Sequence, residues 1–149
     1  MTGRKKSTPR EHVVRLKMTL PRIPDIEVVA QDGLERLAAH MGVASDKIGE
    51  AKILVTEAVI NALEHSGAEN PNVRVEFALT RKQLTILVRD YGSGMDVSTI
   101  KETNLQSKLG KGKNKRGWGF TLMKTLSDGF AVESGKRGTK ITLTKLLTI

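Results

Sequence analysis

The chain contains no cysteine, which rules out disulfides and any metal site built on thiolates. Its three histidines are scattered, a poor basis for a structural zinc site. Aromatic residues make up only 3% of the sequence, so a core must be assembled from Leu, Ile, Val, Ala and Met. No apolar run reaches the length of a membrane span, and the N-terminus lacks the apolar stretch of a secretory signal. A soluble cytoplasmic protein without membrane contacts is the expectation. Acidic residues are also in short supply: 16 Asp and Glu face 25 Lys and Arg, for a net charge of +9. That imbalance favours anionic partners, whether a nucleotide, a nucleic acid or an acidic protein face. One Trp, one Tyr and three Phe offer few stacking surfaces, so direct nucleic-acid binding is disfavoured.

At 149 residues the chain has the length of one domain able to bury a real core. Residues 1–12, which include Arg4, Lys5, Lys6 and Arg10, read as a flexible basic tail, and 13–149 as a single domain. The alternation of Val14, Leu16, Met18 and Leu20 with charged residues predicts a strand that Pro21 ends. Asp25 is placed to cap a helix carrying Ile26, Val29, Leu34, Leu37, Ala38 and Met41, with Gly42 as its stop. Ser45 is placed to cap a second helix, which runs to about Ser66 with an apolar stripe through Ile53, Leu54, Ala58, Val59, Ala62 and Leu63. Alternating segments at 73–77 and 84–88 are close enough to form a hairpin. A glycine-rich stretch without periodicity follows, with room for a short helix between Ser98 and Leu109. A helix over 119–127 and strands from Phe130 and Thr139 complete the order β-α-α-β-β-loop-α-β-β. This order predicts an α+β fold, a two-layer sandwich whose mostly antiparallel sheet is covered on one face by helices.

Three stretches carry chemistry. Glu57 and Asn61 are one helical turn apart and project from the same side of the second helix. Asn61 offers a carbonyl oxygen suited to magnesium. Glu57 is placed to act as a general base, provided burial raises its basicity. Asp90-Tyr91-Gly92-Ser93-Gly94 sets a carboxylate at a strand end before two glycines, an arrangement that can accept a hydrogen bond from an adenine amine and leave room for a flat ring. Gly110, Gly112, Gly117 and Gly119 bracket a lysine-rich stretch leading into a helix, where backbone N–H groups bind phosphate. Lys113, Lys115 and Arg116 add charge there. Each stretch has a plain alternative when taken alone: a helix surface, a hairpin turn, a solvated loop. Together they make a nucleotide site the better explanation. His65 lies on the same side as Asn61 but reads as a helix-end residue, and Trp118 reads as core or lid packing rather than a stacking partner.

These boxes, in this order, resemble the GHKL (Bergerat-fold) ATPase superfamily, and within it the small anti-sigma factor serine-protein kinases of the RsbW and SpoIIAB type. The likeness runs from about Val13 to Leu147. The resemblance implies that Glu57 is the general base and Asn61 the magnesium ligand. It implies that Asp90 binds the adenine amine within a turn opened by Gly92 and Gly94, and that Thr139 after Gly138 supports the adenine end. It also implies that Arg116, Gly117, Trp118, Gly119 and Phe120 meet the phosphates, at the end of an ATP lid at about 91–116. Trp118 departs from the leucine usual in these families, the lid is unusually rich in lysine, and the net charge is more basic than this branch leads one to expect. The expected activity is Mg-ATP-dependent phosphorylation of a serine or threonine on a STAS-domain anti-anti-sigma protein, by a homodimer that also holds a sigma factor. A non-catalytic module that switches partners with nucleotide state is the alternative.

Overall fold

A computed structural model describes residues 12–43, 45–95 and 116–147. The described elements run β1 (Val14–Leu20), α1 (Glu27–Met41), α2 (Ser45–His65), β2 (Val73–Leu79), β3 (Gln83–Arg89), α3 (Arg116–Leu126), β4 (Gly129–Gly135) and β5 (Gly138–Leu146). The strands form one five-stranded sheet in the order β1-β2-β3-β5-β4, with every neighbouring pair antiparallel. The α+β layering read from the sequence is therefore the one observed. The tail at 1–11, the helix proposed between Ser98 and Leu109, and Lys113 and Lys115 lie outside the described residues.

Alternation explains which face of the sheet is buried. Leu16 pairs with Phe77, Met18 with Val75 and Leu20 with Val73, so one apolar row crosses from β1 to β2. Leu84, Ile86 and Val88 on β3 and Ile141 and Leu143 on β5 extend it beneath the helices, almost wholly out of solvent. Side chains one residue out of phase point to the other face. Against the buried face lies α2, whose Ala51, Leu54, Val55, Ala58 and Val59 are fully buried. Small alanines among larger aliphatics let this helix sit close to both α1 and the sheet, which makes it the centre of the core.

Three expectations fail on local grounds. Asp25 does not cap α1: it adopts a left-handed backbone (φ 62°), and the helix begins after Ile26 without a side-chain cap. Val29 is 49% exposed and Ile53 is 42% exposed, because Ala30, Leu34 and Ala38 form the inward stripe of α1 and the sheet side of α2 runs through Leu54 and Val55. Helix α3 starts at Arg116, a turn earlier than its apolar pattern indicated. The stop at Gly42 is observed, with its backbone in the left-handed region (φ 69°) and its N–H closing on the carbonyls of Ala38 and Ala39.

Lys145 falls on the inward side of β5 and is buried. Its ammonium donates to the carbonyl of Leu126 at 2.7 Å, at the C-terminal end of α3, and pairs with Glu50 on α2. A cation at a helix C-terminus satisfies an orphan carbonyl and complements the helix dipole. Lys145→Ala is expected to lower stability by about 1–3 kcal/mol, read as a fall in Tm. An unchanged Tm would show that the ammonium does not hold α3 to α2.

Candidate nucleotide site

The site is built around the C-terminal half of α2. Asp90 directly follows β3 and is 1% exposed. Its backbone N–H donates to the carbonyl of Thr139 at 2.9 Å, extending the β3–β5 pairing by one residue. Its Oδ1 accepts the N–H of Gly92 at 2.9 Å and that of Thr139 at 3.3 Å. Burial raises the carboxyl above its ordinary range; those two N–H groups, and then the charges of His65 and Arg89, pull it back down in part. The result is a buried acceptor held in one orientation by backbone.

The glycines beside it are there for clearance. A side chain at Gly92 would overlap the carbonyl oxygen of His65, the last residue of α2. Gly138 has φ 121°, and a side chain there would overlap the carbonyl oxygen of Asp90. The Asp90 turn is thus pressed against both the end of α2 and the start of β5. Thr139 is buried, and its hydroxyl shares a 2.8 Å hydrogen bond with Ser134 on β4. Ser134 Oγ also accepts the N–H of Met95 at 2.8 Å, just beyond Gly94. Ser134 is the contributor that sequence reasoning missed. Its only signal was the hairpin register, which sets it opposite Thr139.

Arg22 braces the same corner. Its guanidinium donates to the carbonyl of Ser66 at 2.7 Å and also bonds the Ser66 hydroxyl. Ser66 and Gly67 continue from α2, and Gly67 lies against the backbone of Tyr91 and Gly92.

Glu57 is eight residues before His65 on α2, about 12 Å along the helix axis. It is half-buried, and burial, followed by the charge of Glu64, pushes its carboxyl above the ordinary glutamate range. A methyl group added at Gly119 of α3 would come within 2.9 Å of its Oε1, so the second glycine box and the candidate base touch. Asn61 sits between Glu57 and His65, and its Oδ1 is buried without a hydrogen-bond partner. A buried carbonyl oxygen left unpaired costs stability, and a hard cation is a fitting partner for it. Magnesium is compatible with this residue on that ground. Among the described residues no cluster of three His, Asp or Glu offers a self-sufficient metal cage.

The other residues expected at the site divide. The half-buried ring of Phe120 packs edge-on against Phe130 at 6.3 Å between centroids, fixing α3 on β4. Trp118 is half-buried on the same helix. Arg116 and Gly117 form the first residues of α3, so a helix N-terminus stands where the phosphate-binding box was read. The structure therefore gathers Asp90, Gly92, Gly94 and Thr139 at one corner, and Glu57 and Gly119 two helical turns away.

The sequence pattern of the histidine kinase-like ATPase domain matches residues 24–145. An anti-sigma F factor of Clostridium botulinum (strain Eklund 17B / Type B) is 31% identical over 128 residues, covering 83% of this chain and 87% of that protein. The serine-protein kinase RsbW of Bacillus subtilis (strain 168) is 28% identical over 141 residues, covering 89% of this chain and 85% of the kinase. Among solved structures, the RsbU and RsbW domains of a Mycobacterium tuberculosis protein superpose with a TM-score of 0.65 at 22% identity. That match covers 89% of this chain and 32% of the longer one. The SiaB-SiaC complex from Pseudomonas aeruginosa matches with a TM-score of 0.61 at 12% identity, covering 88% of each chain. These two likenesses concern the fold. No helix among the described residues is long and apolar enough to cross a membrane.

Proposed function

This chain belongs to the histidine kinase-like ATPase domain family, and from that premise we propose that it is an ATP-dependent protein-serine/threonine kinase that also acts as an anti-sigma factor. One observation carries the reading: the order of groups along α2. A buried acceptor, Asp90, lies against the end of the helix; an unpaired amide oxygen, Asn61, comes one turn back; a carboxylate of raised basicity, Glu57, comes one turn further. That sequence parallels the parts of a nucleoside triphosphate laid along the helix, from base to terminal phosphate. The names of the anti-sigma F factor and RsbW relatives support the choice of a protein kinase and of sigma control.

In this reading Asp90 accepts the adenine amine, and Gly92 and Gly94 keep the turn flat enough for the ring. Thr139, fixed by Ser134, closes the same end. The N-terminus of α3, with Arg116 and Gly117, faces the phosphates, and Lys113 and Lys115 add charge from the lid. Magnesium would be held by Asn61 and the phosphates, where it would neutralise charge that builds on the transferred group. The acceptor hydroxyl attacks the γ-phosphorus and gives its proton to Glu57. The bond from the γ-phosphorus to the bridging β–γ oxygen breaks, and ADP leaves. Burial suits Glu57 to this work by making its carboxylate a stronger base. The new phosphate puts negative charge at the partner interface and would release a STAS-domain antagonist. Homodimerisation, which the resemblance also implies, is checked by light scattering.

Incubating the purified protein with γ-labelled ATP, magnesium and host lysate tests the reading, with Glu57→Ala as control. One small labelled protein, absent from the control, is the expected outcome. ATP binding without a labelled product would reduce the chain to a nucleotide-switched binding module. Gly119→Ala gives a second test. The added methyl gains helix propensity but meets Glu57 Oε1. Phosphotransfer is expected to fall about ten- to a hundredfold through misplacement of the base, with Tm unchanged or raised. An unaltered rate would remove the contact from the mechanism.

A further inference from the structure

On the face of the sheet away from the helices, cations collect at one end. The register sets Arg74 opposite Arg89 on β2 and β3, and Arg89 opposite Lys140 on β3 and β5. Like charges directly opposite one another in a sheet are destabilising, so this row calls for anions. Two of the three are answered internally: Arg74 pairs with Glu76 at 2.9 Å and Lys140 with Glu133 at 3.3 Å. Arg89 instead lies 5.1 Å from the centroid of the Tyr91 ring. The β4–β5 turn adds Lys136 and Arg137, both exposed. Among the described residues neither they nor Arg89 form an ion pair with a carboxylate. A cleft of about 510 Å³ joins these groups, lined by Arg89, Glu133, Lys136, Arg137 and Lys140 and, where it borders the Asp90 corner, by Ser134 and Thr139.

We propose that this cleft docks an acidic segment of a protein partner. Four cations against one carboxylate give the charge complementarity, and carboxylate side chains suit the forked guanidiniums of Arg89 and Arg137. A polyphosphate backbone fits less well. The Glu133 side chain, 72% exposed, would repel it, and the one ring beside the cleft, Tyr91, already lies against Arg89. A peptide brings what Glu133 needs as well, since its backbone N–H groups are donors. Arg89 and Lys140 alternate with Asp90 and Thr139 along their strands and so project to the opposite face. The cleft meets the nucleotide corner only through Ser134 and Thr139, and the proposal does not depend on phosphotransfer.

The test measures anisotropy of a fluorescein-labelled deca-glutamate peptide with the full-length protein at about 0.1 M salt, where charges more than about 10 Å apart are largely screened. Lys136→Glu/Arg137→Glu is expected to weaken binding roughly tenfold or more, as charge reversals at a charged interface do. Arg15→Glu/Lys17→Glu makes the same change in net charge on β1, at the other end of this face, and should stay within about twofold of the parent. Both variants alter the exposed face, and circular dichroism confirms that each is folded. ATP binding, followed separately, should be equal in all three proteins. Absence of peptide binding to the parent, or equal weakening in both variants, would overturn the proposal. So would a labelled oligothymidylate of matched charge that binds more tightly and loses more affinity in the turn variant; the cleft would then be a nucleic-acid site.

Discussion

Asp90→Asn is expected to weaken Mg-ATP binding about a hundredfold, the cost of turning a charge-assisted acceptor into a donor facing the adenine amine, without lowering Tm at neutral pH. The second half of that statement separates a binding role from a structural one. The asparagine carbonyl can still accept the N–H groups of Gly92 and Thr139 that hold Oδ1. Burial keeps the Asp90 carboxyl above its ordinary range in the folded protein. A group whose folded pKa is raised contributes stability below its unfolded pKa and loses it as pH rises through the folded value. At neutral pH the ionised Asp90 is therefore a net cost of folding, and the neutral amide removes it. The variant should match or exceed the parent in Tm at neutral pH, and that advantage should vanish on acidification into the carboxylate range. Unchanged ATP affinity, measured by calorimetry, would remove Asp90 from the adenine end.

The corner that gathers Asp90, Gly92, Gly94 and Thr139 was legible in the sequence because its parts are short and strongly constrained. Asp90-x-Gly92-x-Gly94 and Gly138-Thr139 depend on backbone clearance, which only glycine provides where a carbonyl oxygen presses in. The strands were legible because alternation on β2, β3 and β5 is regular, so phase alone named the buried row. The errors fall where two apolar choices competed. Val29 and Ile53 extend an apolar stripe at helical spacing, but the partner surfaces are already filled by Ala30 and Leu34 and by Leu54 and Val55. Tertiary packing chose the narrower stripe. Asp25 is a good capping residue by type, yet the chain turns through a left-handed residue there, and no propensity scale sees that turn. Lys145 carried no signal in the sequence. A lysine within a strand reads as surface, and its burial follows only from the meeting of α2, α3 and β5 around its ammonium.

The acid-base role of Glu57 has the sharpest consequences, because function and stability should move in opposite directions. Glu57→Gln preserves shape and removes the base. Phosphotransfer should fall about 100- to 10,000-fold, the usual contribution of a positioned general base. ATP affinity should change little, since the base acts chiefly in the transition state. Burial, then the charge of Glu64, raises the Glu57 carboxyl in the folded state. The proton on this group therefore stabilises the fold at low pH, and that contribution is lost as pH rises through the raised value. At neutral pH the parent carries a half-buried carboxylate that the glutamine variant does not, so the variant should melt higher, and the difference should close as the medium is acidified. The same shift sets the acid limb of the parent's rate profile above the ordinary carboxylate range, and that limb should disappear from the residual activity of the variant. A variant that loses transfer and Tm together would make Glu57 a structural residue. A variant that gains stability while losing transfer would identify a group held in an unfavourable environment for its chemistry.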